Sequence, residues 1–262
     1  MSAPDRSRRA LVTGASRGIG RGIAVALAGA GHAVALAARD VGGLEQTAAR
    51  SQAAGAPAAA LLAVDAGDLD AAAALPARVE EALGGPVEIL VHCAGVALNG
   101  PIGELPLQDW ETSMRINAGA LFVLAGAIAP GMASAGWGRI VSIGSLYSRF
   151  GVARTAAYTA SKHAVLGLTR VLAAELAGRG VTANTIVPGW VDTEMVREQA
   201  ASAARARGTS QEEIVRRFLR SQPLGRMVTA AEVGALVAYL ASEAAAPITG
   251  QALNIDGGSY QA

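Results

Sequence analysis

Cysteine, histidine and lysine are all scarce in this 262-residue chain. Cys93 stands alone, which excludes a disulfide framework and a Cys-rich zinc pattern. His32, His92 and His163 are too far apart in sequence for a local metal motif, so no metal is expected. Lys162 is the single lysine among 22 Lys+Arg residues, and every other one is arginine. The 22 basic residues are matched by 21 acidic ones, giving a net charge of +1 and no basic face for nucleic acid. The one basic cluster, Arg6, Arg8 and Arg9, reads as a solvated leader. Residues 1–9 are polar and hold no apolar stretch, so no secretory signal and a reducing, cytoplasmic setting are expected. Residues 116–138 carry no charge, but Pro130, Gly131, Gly136 and Gly138 interrupt them. The continuous apolar part falls short of the ~20 residues that span a bilayer, so a buried helix is expected there.

What is present is apolar material in a repeating rhythm. Hydrophobic residues make up 52% of the chain and charged ones 16%, ample for one large core. Short apolar runs at 10–14, 33–38, 57–65, 88–95, 138–145, 181–189 and 252–256 read as strands buried on both faces. Helical spacing follows the first run and recurs at about 68–83, 107–132, 155–178 and 229–242. That alternation predicts an α/β fold: a single doubly wound Rossmann-type domain over residues 1–262, with a mostly parallel seven-stranded sheet between helices. Residues 192–226 break the rhythm with a polar, Arg/Glu-rich stretch after a strand end. It reads either as a helical lid over a ligand or as an exposed helical pair with no part in binding.

"TGASRGIG" (13–20) joins the first strand to the first helix. Gly14 permits a tight turn, and Gly18 and Gly20 allow close approach to a pyrophosphate at the helix N-terminus. Ser16, Arg17 and Ile19 complete this candidate cofactor turn. The second strand ends "ALAARD", placing Ala38 where a carboxylate would bind a ribose 2′-hydroxyl and Arg39 just after it. Arg17 and Arg39 would instead bind a 2′-phosphate, which points to NADPH over NADH. Asp40 is left as either a hydroxyl partner or an ion-pair partner of Arg39.

"YTASK" puts Tyr158 and Lys162 four residues apart, on one face of a predicted helix. A nearby cation stabilises a phenolate and would lower the tyrosine pKa toward use as an acid–base group. Ser145, at a strand end, would donate a hydrogen bond to the same substrate oxygen. Asn117, within an otherwise apolar helix, is costly unless its amide is partnered.

These stretches together resemble the short-chain dehydrogenase/reductase family, from about residue 8 to the end. "TGASRGIG" resembles its coenzyme turn, "YTASK" its Tyr-x3-Lys pair, "VPGWVDT" its Pro-Gly loop and "RINAGALF" its catalytic asparagine segment. The resemblance implies a tetrad. Tyr158 is the acid/base, Lys162 lowers its pKa and holds the nicotinamide ribose, Ser145 polarises the carbonyl, and Asn117 anchors a relay water. It also implies that Asp65 and Ala66 lie at the adenine, that Ala94 and Gly95 approach the cofactor, and that Pro188, Gly189, Val191 and Thr193 surround the nicotinamide amide. The family's Asn-Asn-Ala-Gly element reads "HCAG" here, so His92 and Cys93 are expected to lose the amide ties between strands and act as packed core. His163 is expected to point off the catalytic face.

Leu146, Tyr147, Trp190 and residues 96–103 are the expected substrate walls, mostly apolar. The implied reaction is NADPH-dependent reduction of a ketone, a 3-oxoacyl thioester or polyketide-like carbonyl. The alternatives are an NAD-dependent 3-hydroxybutyrate-type or other secondary alcohol dehydrogenase, and a non-catalytic dinucleotide-binding protein. Ala97 and Thr155 stand where the 3-hydroxybutyrate enzymes place carboxylate-binding groups, and Ala174 before Glu175 replaces a carrier-docking arginine. A homotetramer or dimer is implied, with the two long helices and the last strand at its interfaces.

Overall fold

The computed structural model describes residues 6–261. Met1–Asp5 and Ala262 lie outside the described residues, and with them both ends of the expected domain. Seven strands form one parallel sheet: β1 (Arg9–Thr13), β2 (Ala33–Ala38), β3 (Ala59–Ala63), β4 (Ile89–His92), β5 (Gly138–Ile143), β6 (Val181–Pro188) and β7 (Ala252–Ile255). Their spatial order is β3-β2-β1-β4-β5-β6-β7. The central strands are apolar on both faces because helices cover both.

On one face lie α1 (Gly18–Gly29), α2 (Val41–Ala53) and α10 (Ala230–Ala241), packed through Ile23, Leu27, Leu44, Val233 and Val237. The other face holds α4 (Leu75–Leu83), α6 (Ala120–Ala135) and α7 (Ala156–Leu176), packed through Val79, Leu121, Leu124, Ile128 and Val165. After β6 comes a polar helical pair, α8 (Glu194–Arg207) and α9 (Gln211–Arg220), with a small core of Ala200, Ala204 and Ile214.

The structure adds and corrects local detail. α2 was not legible as a helix; its first turn holds two glycines, and the Asp40 side chain caps it by accepting from Gly43 N at 3.1 Å. The helix expected at 68–83 is two: α3 (Leu69–Ala73) and α4, which restarts with Pro76 in its first turn, where proline is tolerated. Arg8 and Arg9 are no solvated leader. They begin or adjoin β1 and grip Glu88, each at 2.9 Å, and Arg8 also lies over Trp137, 3.7 Å from the ring centre.

The long helix of residues 107–135 comprises α5 (Leu107–Met114), a π turn at Arg115–Gly119, and α6. At 29 residues it is longer than the expected segment, and long and apolar enough to cross a membrane by length and composition. In this fold its inner face is core: Leu121, Leu124, Ala125 and Ile128 are all at most 4% exposed.

Candidate active site

β1 lies between β2 and β4, so the chain reverses its direction of sheet building there. Such a switch point opens a crevice at the strand ends. A cleft of about 490 Å³ occupies it. Gly14, Ser16, Arg17, Gly18, Ile19 and Gly20 form one wall, with Arg39, Asp65 and Ala66 at one end and Ala94, Gly95, Tyr158 and Lys162 toward the other. Thr193 borders it as well. Pro188, Gly189 and Val191 do not, because that stretch is turned inward: Val191 is 2% exposed and bridges Val228. A Cβ on Gly189 would meet Gln222 and Asp256 instead of the cleft.

The turn after β1 suits a dinucleotide. Gly14 has φ +67°, and a Cβ there would lie 2.9 Å from the Ala94 backbone, closing the crevice between β1 and β4. No side chain caps α1 and its first turn has no carboxylate, so its N–H groups are open to an anion. Thr47 Oγ1 donates to the Ala15 carbonyl at 2.9 Å, and the Arg21 guanidinium donates to Ser16 O and to Thr47 Oγ1. This clamp ties the glycine turn to α2. Sequence reasoning missed it, because Arg21 and Thr47 meet only in the fold.

At the end where the adenine is expected, Arg39 is 70% exposed and sits 3.7 Å from Asp65. Asp40 is not its ion-pair partner; it caps α2 through Oδ1 and also borders the cleft. Arg17 reaches Glu198 of α8 at 3.5 Å.

At the other end the Lys162 ammonium donates to the Ile143 carbonyl at 2.8 Å and lies 5.7 Å from the Tyr158 ring centre. Burial pushes the Tyr158 phenol up to about 12, against a hydrogen bond with the Ser145 side chain that draws it down. The expected lowering by Lys162 is not found: the downward pull comes from Ser145, and desolvation outweighs it. Burial also pulls Lys162 down to about 8. A phenol this high stays protonated at neutral pH and can only give up its proton to a strong base such as an alkoxide.

Asn117 is fully buried in the π turn and its amide is satisfied. Oδ1 accepts from Val96 N at 2.8 Å, while Nδ2 donates to Val96 O at 2.9 Å and Ser161 Oγ at 2.8 Å. It thereby clasps the loop after β4 to α7. His92 corrects the expectation of a lost tie: its Nδ1 is 3.1 Å from Thr13 Oγ1 on β1, and its Nε2 is 3.1 Å from the Asn117 carbonyl. Imidazole spans the distance an amide would. Burial, then Lys162, lowers its pKa to about 4. Cys93 lines the cleft, and burial pushes its thiol up to about 12. His163 points outward, bonded to its own helix at Thr159 O.

Leu146 and Tyr147 belong to a short turn capped by Ser145. Tyr147 meets Tyr158 edge-on, ring centres 5.9 Å apart. Trp190 is stacked on Phe218 of α9 at 3.8 Å and 9°. It fastens the helical pair to the end of β6 and is not a bare wall. Thr155 is bonded to Val152 O and Thr159 Oγ1, and Gly100 N to Arg154 O, pinning the loop of residues 96–103 beside the start of α7.

The family model described as enoyl-(acyl carrier protein) reductase matches residues 14–260. The chain is 37% identical to a D-beta-hydroxybutyrate dehydrogenase of Cupriavidus necator, covering 96% of this chain and 97% of that one. It is 36% identical to a 3-oxoacyl-[acyl-carrier-protein] reductase of Pseudomonas aeruginosa, covering 96% of each. A variant actinorhodin polyketide ketoreductase solved with NADPH superposes with a TM-score of 0.91 at 38% identity, covering 99% of each chain. The chain is thus an NAD(P)-dependent oxidoreductase of the short-chain dehydrogenase/reductase family.

Proposed function

We propose that the protein reduces a ketone to a secondary alcohol with NADPH, the ketone being a 3-oxoacyl thioester or polyketide-like carbonyl. One observation carries the reading: a single cleft is lined by two arginines, Arg17 and Arg39, and by the Tyr158 phenol with the buried Lys162 ammonium. NADPH, when bound, supplies the hydride. Arg17 and Arg39 hold its 2′-phosphate, exchanging Glu198 and Asp65 for the stronger dianion. The open N–H groups of α1 take the pyrophosphate, and Asp65, Ala66, Ala94, Gly95 and Thr193 frame the remainder, without the expected Pro188, Gly189 and Val191. Ser145 and Tyr158 donate to the ketone oxygen, and Tyr158 passes its proton to the alkoxide as it forms. Lys162 favours the resulting phenolate and binds the ribose. Asn117 fixes the loop and helix that carry these groups.

Leu146, Tyr147 and Trp190, with a lid of residues 192–226, enclose the substrate. The relatives named for 3-oxoacyl and polyketide reduction support this class. The relatives named D-beta-hydroxybutyrate dehydrogenase favour a second reading, oxidation of a small hydroxy acid with NAD. Ala97 offers no carboxylate donor, and the Thr155 hydroxyl already has two partners, which weighs against it. The same reading makes the protein a cytoplasmic homotetramer or dimer. Supporting this, Leu107, Phe122 and Val171 leave apolar surface on α5, α6 and α7.

The test is NADPH consumption with a panel of 3-oxoacyl thioesters, free ketones and acetoacetate, alongside Tyr158→Phe. Turnover of a thioester or bulky ketone by the wild type alone is expected. Equal inertness of both proteins with cofactor still bound would refute the enzyme reading. Turnover of acetoacetate and NADH alone would favour the second.

A further inference from the structure

A π turn holds one residue more than the α-helix it interrupts, so one carbonyl near it loses its intrahelical donor. In this chain the π turn is Arg115–Gly119, and the side chain facing its carbonyls is His92. The Nε2 atom is 3.1 Å from Asn117 O, with the Ile116 carbonyl beside it.

The tautomer follows from the neighbours. Thr13 Oγ1 accepts the backbone N–H groups of Cys93 and Ala94, each at 3.1 Å. Its own hydrogen is therefore free for His92 Nδ1, also at 3.1 Å. Nδ1 accepts, so Nε2 bears the proton and donates to Asn117. Burial and Lys162 both hold the ring neutral. From Asn117 the chain of bonds continues through Ser161 Oγ to the Tyr158 carbonyl at 2.8 Å. The Asn117 amide also fixes Val96, which borders the cleft. There is little slack, since a Cβ on Gly95 would already stand 3.1 Å from Asn117 Oδ1.

We propose that His92 is a positioning residue: a neutral Nε2–H imidazole that supplies the π turn's missing donor and so sets the placement of Asn117, the Val96 loop and the helix bearing Tyr158. This rests on the reading that Tyr158 carries proton transfer, which Tyr158→Phe tests separately. His92 touches neither substrate nor cofactor in this role.

The experiment compares His92→Leu and His92→Gln, with nitrogen NMR of isotope-labelled wild-type protein. His92→Leu should lower kcat by about tenfold to a hundredfold, the scale of slight misplacement at a reacting centre, with KM for NADPH nearly unchanged. His92→Gln, whose amide can still donate, should recover most of kcat. NMR should show the proton on Nε2 and no titration near the usual histidine value. A folded His92→Leu protein with wild-type kcat would overturn the proposal, as would a Gln variant no better than the Leu variant. So would an Nδ1–H ring or one titrating near 6.5. If the Leu variant does not fold, the Gln variant and the NMR spectrum decide. If Tyr158→Phe stays active, the functional reading fails, and the NMR tautomer alone decides the role of His92.

Discussion

The Lys162 ammonium stands 5.7 Å from the centre of the Tyr158 ring, tethered by its 2.8 Å bond to the Ile143 carbonyl. Both groups are shifted by burial, the phenol up to about 12 and the ammonium down to about 8. As pH rises, the lysine loses its proton long before the tyrosine does. The rate of ketone reduction should therefore hold steady through neutrality and fall as pH passes about 8. The Lys162→Arg variant, whose guanidinium keeps its charge, should lack that limb even though its basal rate is low. A wild-type profile flat to the tyrosine's own range would show that the lysine charge is not needed.

The proposed preference for NADPH rests on Arg39, exposed beside Asp65, and on Arg17 beside Glu198. Removing one charge-assisted contact to a phosphate costs roughly 1.5–3 kcal/mol, or about ten- to a hundredfold in affinity. Arg39→Ala should weaken NADPH by that amount and leave NADH within about twofold, as measured by fluorescence titration. Equal losses for both cofactors would mean that Arg39 does not read the phosphate.

The placement of "YTASK" on one helix and of the glycine turn between β1 and α1 was legible in the sequence, because each sits on one continuous stretch with fixed spacing. The strands were visible for a similar reason, as apolar runs broken by glycine. What stayed hidden depends on partners distant in sequence. Arg21 looks like any exposed helical arginine until Thr47 and Ser16 meet it. His92 looked like a lost amide until Thr13 and Asn117 closed on its two nitrogens. The π turn leaves no mark in composition, and α2 hides behind Gly42 and Gly43, which locally favour a loop. The drop expected for the Tyr158 pKa considered the charge and not the desolvation, which only the packed cleft reveals.

The Trp190–Phe218 stack couples the end of β6 to α9. A double-mutant cycle with Trp190→Ala and Phe218→Ala should give about 0.5–1.5 kcal/mol of coupling in stability. If the helical pair closes over substrate, each single variant should raise KM for a bulky ketone more than it lowers kcat. Additive stability effects would show that the rings merely lie close together.

The central claim is that this cleft moves a hydride from a nicotinamide to a carbonyl carbon while Tyr158 supplies the proton. Single-turnover reaction of NADPH deuterated on the transferring face, followed by mass and NMR analysis of the alcohol, tests it most directly. The account predicts deuterium on the carbinol carbon in one configuration with the wild type and no product with Tyr158→Phe. Alcohol free of deuterium, or the same yield from the variant, would contradict it.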